Sequence, residues 1–171
     1  MRPLHRQLVV RAVLLQIALA LLASVAGRAA ETPDRVLATE DFSLRNYAGK
    51  VVLVDFWASW CKPCALSLPW LSKLAATYCD EGLVVVAVNV DKKLAAAESF
   101  LAVLDPRVVV VHDSEGKLAA AHELEGMPSS FLYDRTGKLR AQHVGFLPAE
   151  AANREQAVTD LLHEEATPDA H

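Results

Sequence analysis

Short runs of apolar, largely β-branched residues alternate along this chain with stretches whose apolar positions recur at helical spacing. Val51 to Trp57 reads Val-Val-Leu-Val-Asp-Phe-Trp, broken by a single acid, and Leu83 to Val90 is a second run of the same kind. Runs without polar alternation are the mark of strands buried on both faces, so both are predicted as central parallel strands. Between them, Leu66, Leu68, Leu71, Leu74 and Ala75 predict a helix that begins at about Cys61, buries these side chains on one face and stops at Gly82. Pro63 falls in its first turn, where proline is tolerated, whereas Pro69 falls mid-helix and predicts a kink through its missing backbone donor.

Beyond the second strand the pattern predicts a helix from about Leu94 to Leu104, a strand from Arg107 to Val111 and a helix from about Glu115 to Leu124. Asp105-Pro106 and Gly126 punctuate them. Ser130 to Tyr133 and Lys138 to Val144 flank Asp134-Arg135-Thr136-Gly137 and predict an antiparallel hairpin. A helix from about Ala149 to His163 closes the fold. Before Val51 the pattern is mixed, with an apolar pair at Val36-Leu37 and a helical turn from Leu44 to Tyr47. Parallel strands alternating with helices, then a terminal hairpin and helix, give an α/β class with a mixed sheet and helices on both faces. The pattern alone leaves the strand order open.

The first residues change the picture of organisation. Arg2, His5, Arg6 and Arg11 precede a stretch from Ala12 to Gly27 whose only polar side chains are Gln16 and Ser24. At 16 residues it is shorter than the roughly 20 that span a bilayer as a helix, and small residues follow it. Residues 1–30 therefore read as a signal peptide, with Ser24 and Ala26 suiting cleavage after Ala26. An uncleaved N-terminal membrane anchor is the alternative. Either way the chain is expected to be exported, into a compartment where disulfides persist. The predicted domains are 1–30 as the export segment, 31–165 as one folded domain and 166–171 as a polar tail.

With 171 residues, 53% of them hydrophobic, the chain supports one domain with a substantial core. A net charge of −4 without a lysine- or arginine-rich run argues against a nucleic-acid partner, which needs clustered positive charge. Three cysteines are too few for the disulfide framework of a small secreted scaffold. Two of them stand as Cys-x-x-Cys, which suggests chemistry.

That pair, in Trp60-Cys61-Lys62-Pro63-Cys64, sits where a buried strand gives way to a helix. The helix dipole and unpaired amides at that point favour a thiolate at Cys61, which is the expected nucleophile. Cys64, one helical turn on and more buried, is placed to attack the mixed disulfide formed at Cys61. Lys62 adds a nearby positive charge, and Pro63 restricts the backbone between the two thiols. Two other readings remain open. A structural disulfide leaves the strand-to-helix position unexplained. A zinc site needs Cys79 and one of His112, His122 or His143 to assemble with the pair.

Asp55-Phe56-Trp57-Ala58-Ser59-Trp60-Cys61-Lys62-Pro63-Cys64, followed by Gly126-Met127-Pro128, resembles the thioredoxin superfamily from about Val51 to the final helix. The resemblance implies the thioredoxin fold, a central mixed β-sheet flanked by helices. Asp91 and Pro128 are 37 positions apart, more than ordinary thioredoxins have. This helix-strand insertion between the second core strand and the cis-proline loop resembles the exported TlpA/ResA-like branch, and the segment before Val51 is short for that branch's full N-terminal hairpin. The resemblance implies a protein thiol-disulfide oxidoreductase of the bacterial periplasm, a reductase serving cytochrome c maturation or a similar task. Its pair would be re-reduced by a membrane electron donor of the DsbD type. It makes Pro128 a cis-proline that aligns substrate protein beside Met127, with Trp60 next to the pair, and Asp55 the buried acid that exchanges a proton with Cys64.

Two positions depart from the resemblance. The lysine that partners the buried acid in thioredoxins falls at Ala87, and the carboxylate that cytochrome-maturation reductases carry three residues after the second cysteine is Ser67. A dithiol oxidant of the same fold usually carries histidine where Pro63 stands, and copper-handling members use a wider cysteine spacing. A peroxiredoxin needs serine or threonine at Ala58. Phe56, Trp57 and Trp70 are expected to pack in the core or beside the pair, and Cys79 to be a partly buried free thiol. No cofactor is implied.

Overall fold

The computed structural model describes residues 36–164, so the expected export segment 1–30 and tail 166–171 lie outside the described residues. Six strands form one sheet in the order β1-β4-β3-β2-β5-β6. They are β1 (Val36–Ala38), β2 (Val51–Trp57), β3 (Leu83–Asn89), β4 (Val109–His112), β5 (Ser129–Tyr133) and β6 (Leu139–Val144). β1 to β4 pair in parallel and β5 and β6 are antiparallel, the mixed sheet expected. Every residue of β2 is buried, because β2 has neighbours on both edges and packing on both faces.

The two faces carry separate cores. Val51, Leu53, Trp57, Val85, Ala87 and Leu132 face α1 (Cys64–Tyr78) and α4 (Ala151–His163). Val52, Val54, Phe56, Val88 and Phe131 face the other side, where Phe42, Leu44, Tyr47 and α3 (Lys117–Ala121) pack. The fully buried Phe56 and Trp57 thus turn to opposite cores, as the period of two along a strand requires.

Several expectations shift. The helix after β2 begins at Cys64, not Cys61, with Pro63 as its N-cap and Cys61 in the turn before it. Leu66, expected on the buried face, is 54% exposed. Cys64, Ser67, Leu68, Leu71, Leu74 and Ala75 hold the buried stripe at spacings of three and four, and Leu66 is out of that phase. Pro69 lies inside an unbroken α1. The helix expected over 94–104 is a 3₁₀ turn (Leu94–Ala97) followed by the single-turn α2 (Glu98–Leu101). β4 runs Val109–His112, with Arg107 in the preceding turn bound to Asp105, and α3 is shorter than the span 115–124. At the chain's far end, a 3₁₀ turn (Pro148–Glu150) leads into α4.

The hairpin turn between β5 and β6 forms as expected. The Asp134 carboxylate accepts bonds from the Thr136 N–H, the Thr136 hydroxyl and the Lys138 N–H. The lead-in segment holds one pairing that its composition did not announce: β1 extends the sheet beyond β4. Among the described residues no helix is long and apolar enough to cross a membrane.

Candidate active site

Cys61 and Cys64 are joined, with an S–S distance of 2.04 Å and Cα atoms 5.3 Å apart. The pair sits at the C-terminal end of β2, and the intervening turn is held from two sides. The Cys61 N–H donates to the Ala58 carbonyl (3.1 Å), and the Cys64 N–H is shared between the Cys61 carbonyl (3.1 Å) and Cys61 Sγ (3.2 Å). A backbone donor aimed at Cys61 Sγ, at the positive end of α1, favours negative charge on that sulfur. Cys61 is 6% exposed and Cys64 fully buried, so an incoming sulfur reaches Cys61 first. Trp60, 69% exposed, stands beside it as the largest accessible apolar surface of the turn.

The turn is tied to the end of β3 by Asp91, a residue the sequence reading did not single out. Asp91 accepts from the Ser59 N–H (2.8 Å), the Ser59 hydroxyl (2.9 Å) and the Asn89 side-chain amide (2.8 Å). The His112 Nε2–H donates to the Asp91 carbonyl (2.8 Å), linking β4 to the same point. The available signal was the pair of polar residues Asn89 and Asp91 at the end of the apolar run from Leu83.

Met127-Pro128 is a cis peptide bond. Ser129 pairs with Phe56, so this loop lies next to the end of β2 from which the cysteine turn departs. Met127 packs against the cluster that contains Cys61, Cys64 and Ala58. The Gly145 N–H donates to the Pro128 carbonyl (2.7 Å), and the Ser129 hydroxyl donates to Gly126 O (2.8 Å), fixing the loop on β6 and on itself. A Cβ on Gly126 would stand 2.9 Å from a methyl of Val144, so a side chain here would have to displace that methyl.

Asp55 is buried within β2, two residues before Trp57 and on the same face, and its Oδ1 has no hydrogen-bond partner. Burial pushes the carboxyl well above its usual range, and the positive charge of Arg154 works against that rise. Opposite Asp55 on β3 stands Ala87 and on β5 Ser130. Ser67, where the resemblance places a carboxylate, is fully buried and donates to the Cys64 carbonyl (3.1 Å).

The structure therefore joins Cys61 and Cys64 within one buried cluster against which Met127 packs, with Trp60 exposed beside the pair, Pro128 in the loop next to the end of β2 and Asp55 on the β2 face that this cluster covers. Cys79 is apart from them, a free thiol at the far end of α1, about 22 Å along the helix from Cys64. Its partners are Asp80 (3.7 Å) and Arg107 (3.9 Å), and among the described residues no group of three or more metal-ligand side chains gathers.

The model of the family described as Redoxin matches residues 27–161 of this chain. The chain belongs to the Redoxin family. It is 30% identical over 118 residues to the thiol-disulfide oxidoreductase ResA of Bacillus cereus, covering 67% of this chain and 68% of that relative. A solved structure described as a putative thiol:disulfide interchange protein DsbE from Chlorobium tepidum superposes with a TM-score of 0.66. It is 44% identical and covers 70% of this chain and 84% of its own. StoA from Bacillus subtilis superposes at 0.54, with 25% identity and coverage of 64% and 84%. Within the Redoxin family this is a TlpA/ResA-like enzyme of the thioredoxin superfamily, a thiol-disulfide oxidoreductase.

Proposed function

We propose that this Redoxin-family chain is a protein-disulfide reductase of the bacterial envelope, working through Cys61 as attacking thiolate and Cys64 as resolving thiol. The observation that carries this reading is the graded access of the pair, with the Cys64 N–H directed at the outer sulfur of Cys61. The Cys61 thiolate attacks a sulfur of the substrate disulfide. A Cys61–substrate bond forms, the substrate's own S–S bond breaks, and the displaced sulfur takes up a proton from solvent. Cys64 then gives its thiol proton to the Asp55 carboxylate and attacks Cys61 Sγ, and the second substrate sulfur leaves and is protonated. Two electrons have passed to the substrate, and the enzyme holds the Cys61–Cys64 disulfide seen in this structure.

Asp55 suits its part because a carboxylate deprived of water binds a proton more tightly, and so accepts one from a buried thiol at lower cost. Trp60, Met127 and the cis-Pro128 loop offer an extended substrate chain an apolar stacking surface and backbone groups beside Cys61. Pro63 between the cysteines and the family resemblance favour the reductase direction over the oxidant one. An exported chain in an oxidising compartment needs a membrane dithiol donor of the DsbD type to renew Cys61 and Cys64. Cytochrome c maturation is one task that fits this chemistry.

Reduction of insulin disulfides with dithiothreitol as electron source tests the reading. The wild-type chain accelerates it, Cys61→Ser abolishes the acceleration, and Cys64→Ser accumulates a mixed disulfide with insulin. Full activity in Cys61→Ser would contradict the assignment.

A further inference from the structure

The sheet register places Asp55 opposite Ser130 and Ser130 opposite His143, on three adjacent strands. Directly opposed residues share a face, so these three form a polar row across β2, β5 and β6 on the side covered by α1 and α4. On the other side of Asp55 the row ends at once, in Ala87. The buried face of α1 offers Cys64 and Ser67 and no charged group. The one buried charge on the elements packed over this face is Arg154, in the first turn of α4.

Arg154 is only 8% exposed, and its hydrogen bonds leave it incomplete. Nη1 donates to the Gly145 carbonyl (3.0 Å), Nη2 donates to Glu150 (2.8 Å), and the guanidinium lies 5.5 Å above the Phe146 ring. Nε is buried without a partner, as is Oδ1 of Asp55. Arg154, Ser130, His143 and Leu53 line a cavity of about 10 Å³, near the lower limit for one water molecule. A cation in such a place costs free energy unless an anion faces it. Glu150 supplies part of that answer from the surface, and the Asp55 carboxyl lies on the same face of the sheet, where the positive charge of Arg154 works against the effect of burial.

We propose that Arg154 is a positioning residue for Asp55, whose fixed positive charge over the Asp55–Ser130–His143 row sets the pH range in which Asp55 takes the Cys64 proton. The inference rests on Asp55 acting as the base, as in the function proposed above. The neighbouring groups report on the same field. Burial first, and Arg154 second, hold His143 below its usual value, while Glu150 pulls it upward.

Two substitutions therefore act with opposite sign. Arg154→Met removes the cation and raises the Asp55 titration, whereas Glu150→Gln releases the cation from its surface partner and lowers it. The measurement is carbon-13 NMR of the Asp55 carboxyl and proton NMR of His143 in the reduced full chain, alongside the pH profile of insulin reduction. We expect an upward shift of about one pH unit in Arg154→Met, its reversal in Arg154→Lys, and a downward shift of about half a unit in Glu150→Gln. His143 moves in the same directions. Glu150 is half exposed, so that variant keeps the test in hand if Arg154→Met does not fold. Asp55 titrations within about 0.2 unit of wild type in the folded variants, beside a slow Asp55→Asn enzyme, overturn the role of Arg154 alone. An Asp55→Asn enzyme with an unchanged rate and pH profile overturns the base assignment, and the inference with it.

Discussion

At the scale of single residues, Asp55 carries a carboxyl buried in the central strand with no hydrogen-bond partner at Oδ1. Its carboxyl holds a proton in the fold over a pH range where the unfolded chain has lost it, because burial raises the folded value. The folded state then binds more protons than the unfolded one, so this residue's contribution to stability is complete below about pH 4. It is lost progressively as pH rises toward the folded value, at up to about 1.4 kcal/mol per pH unit. Asp55→Asn removes this dependence. We expect its melting temperature to gain on wild type as pH rises from 4 to 8, and calorimetry of both proteins across that range checks the sign. A gap that narrows with pH would mean that the carboxylate is stabilised by its surroundings. Cys61, Cys64 and Asp55 were singled out in the sequence as candidates because all three belong to one contiguous motif. Arg154 was not, since its meaning depends on a helix 99 positions further along the chain folding back over β2.

At the scale of elements, the cysteine turn owes its shape to the end of a different strand. Asp91→Ala would leave the Ser59 N–H and the Asn89 amide without their acceptor. Loss of charge-assisted bonds at a mostly buried site costs about 2–4 kcal/mol. Urea unfolding should show that loss, with Asp91→Asn recovering part of it; a change below about 0.5 kcal/mol would detach the turn from β3. The phase of α1 makes a second prediction. Leu66→Ala alters an exposed position and should leave stability within about 0.5 kcal/mol, whereas Leu68→Ala opens the core and costs about 2–5 kcal/mol by the same measurement. The helix itself was legible from its apolar content, but Leu66 and Leu68 lie two apart and cannot share one stripe. Ser67 holds the buried position that leucine content alone assigned elsewhere. Similarly, the alanine-rich stretch from Leu94 read as one helix, although it closes as a 3₁₀ turn and a single α turn against the Leu101–Leu104 contacts with the core.

At the scale of the whole molecule, buried strands announced themselves through unbroken apolar runs, and the antiparallel hairpin through its turn. Their order in the sheet did not, because parallel crossovers set neighbours through packing between distant segments. β1, three residues long, carried too little pattern to predict its pairing with β4. What the assembled fold achieves is a frame in which one sulfur is reachable, its partner is sealed, and a buried carboxyl lies in the sheet beneath. The central claim, that this frame serves a reductase, is tested most directly by the reduction potential of the Cys61–Cys64 pair, measured by equilibrating the protein with defined thiol buffers. A value near about −270 mV, in the thioredoxin range, is the predicted result, and one near about −120 mV, in the range of strong dithiol oxidants, would contradict it.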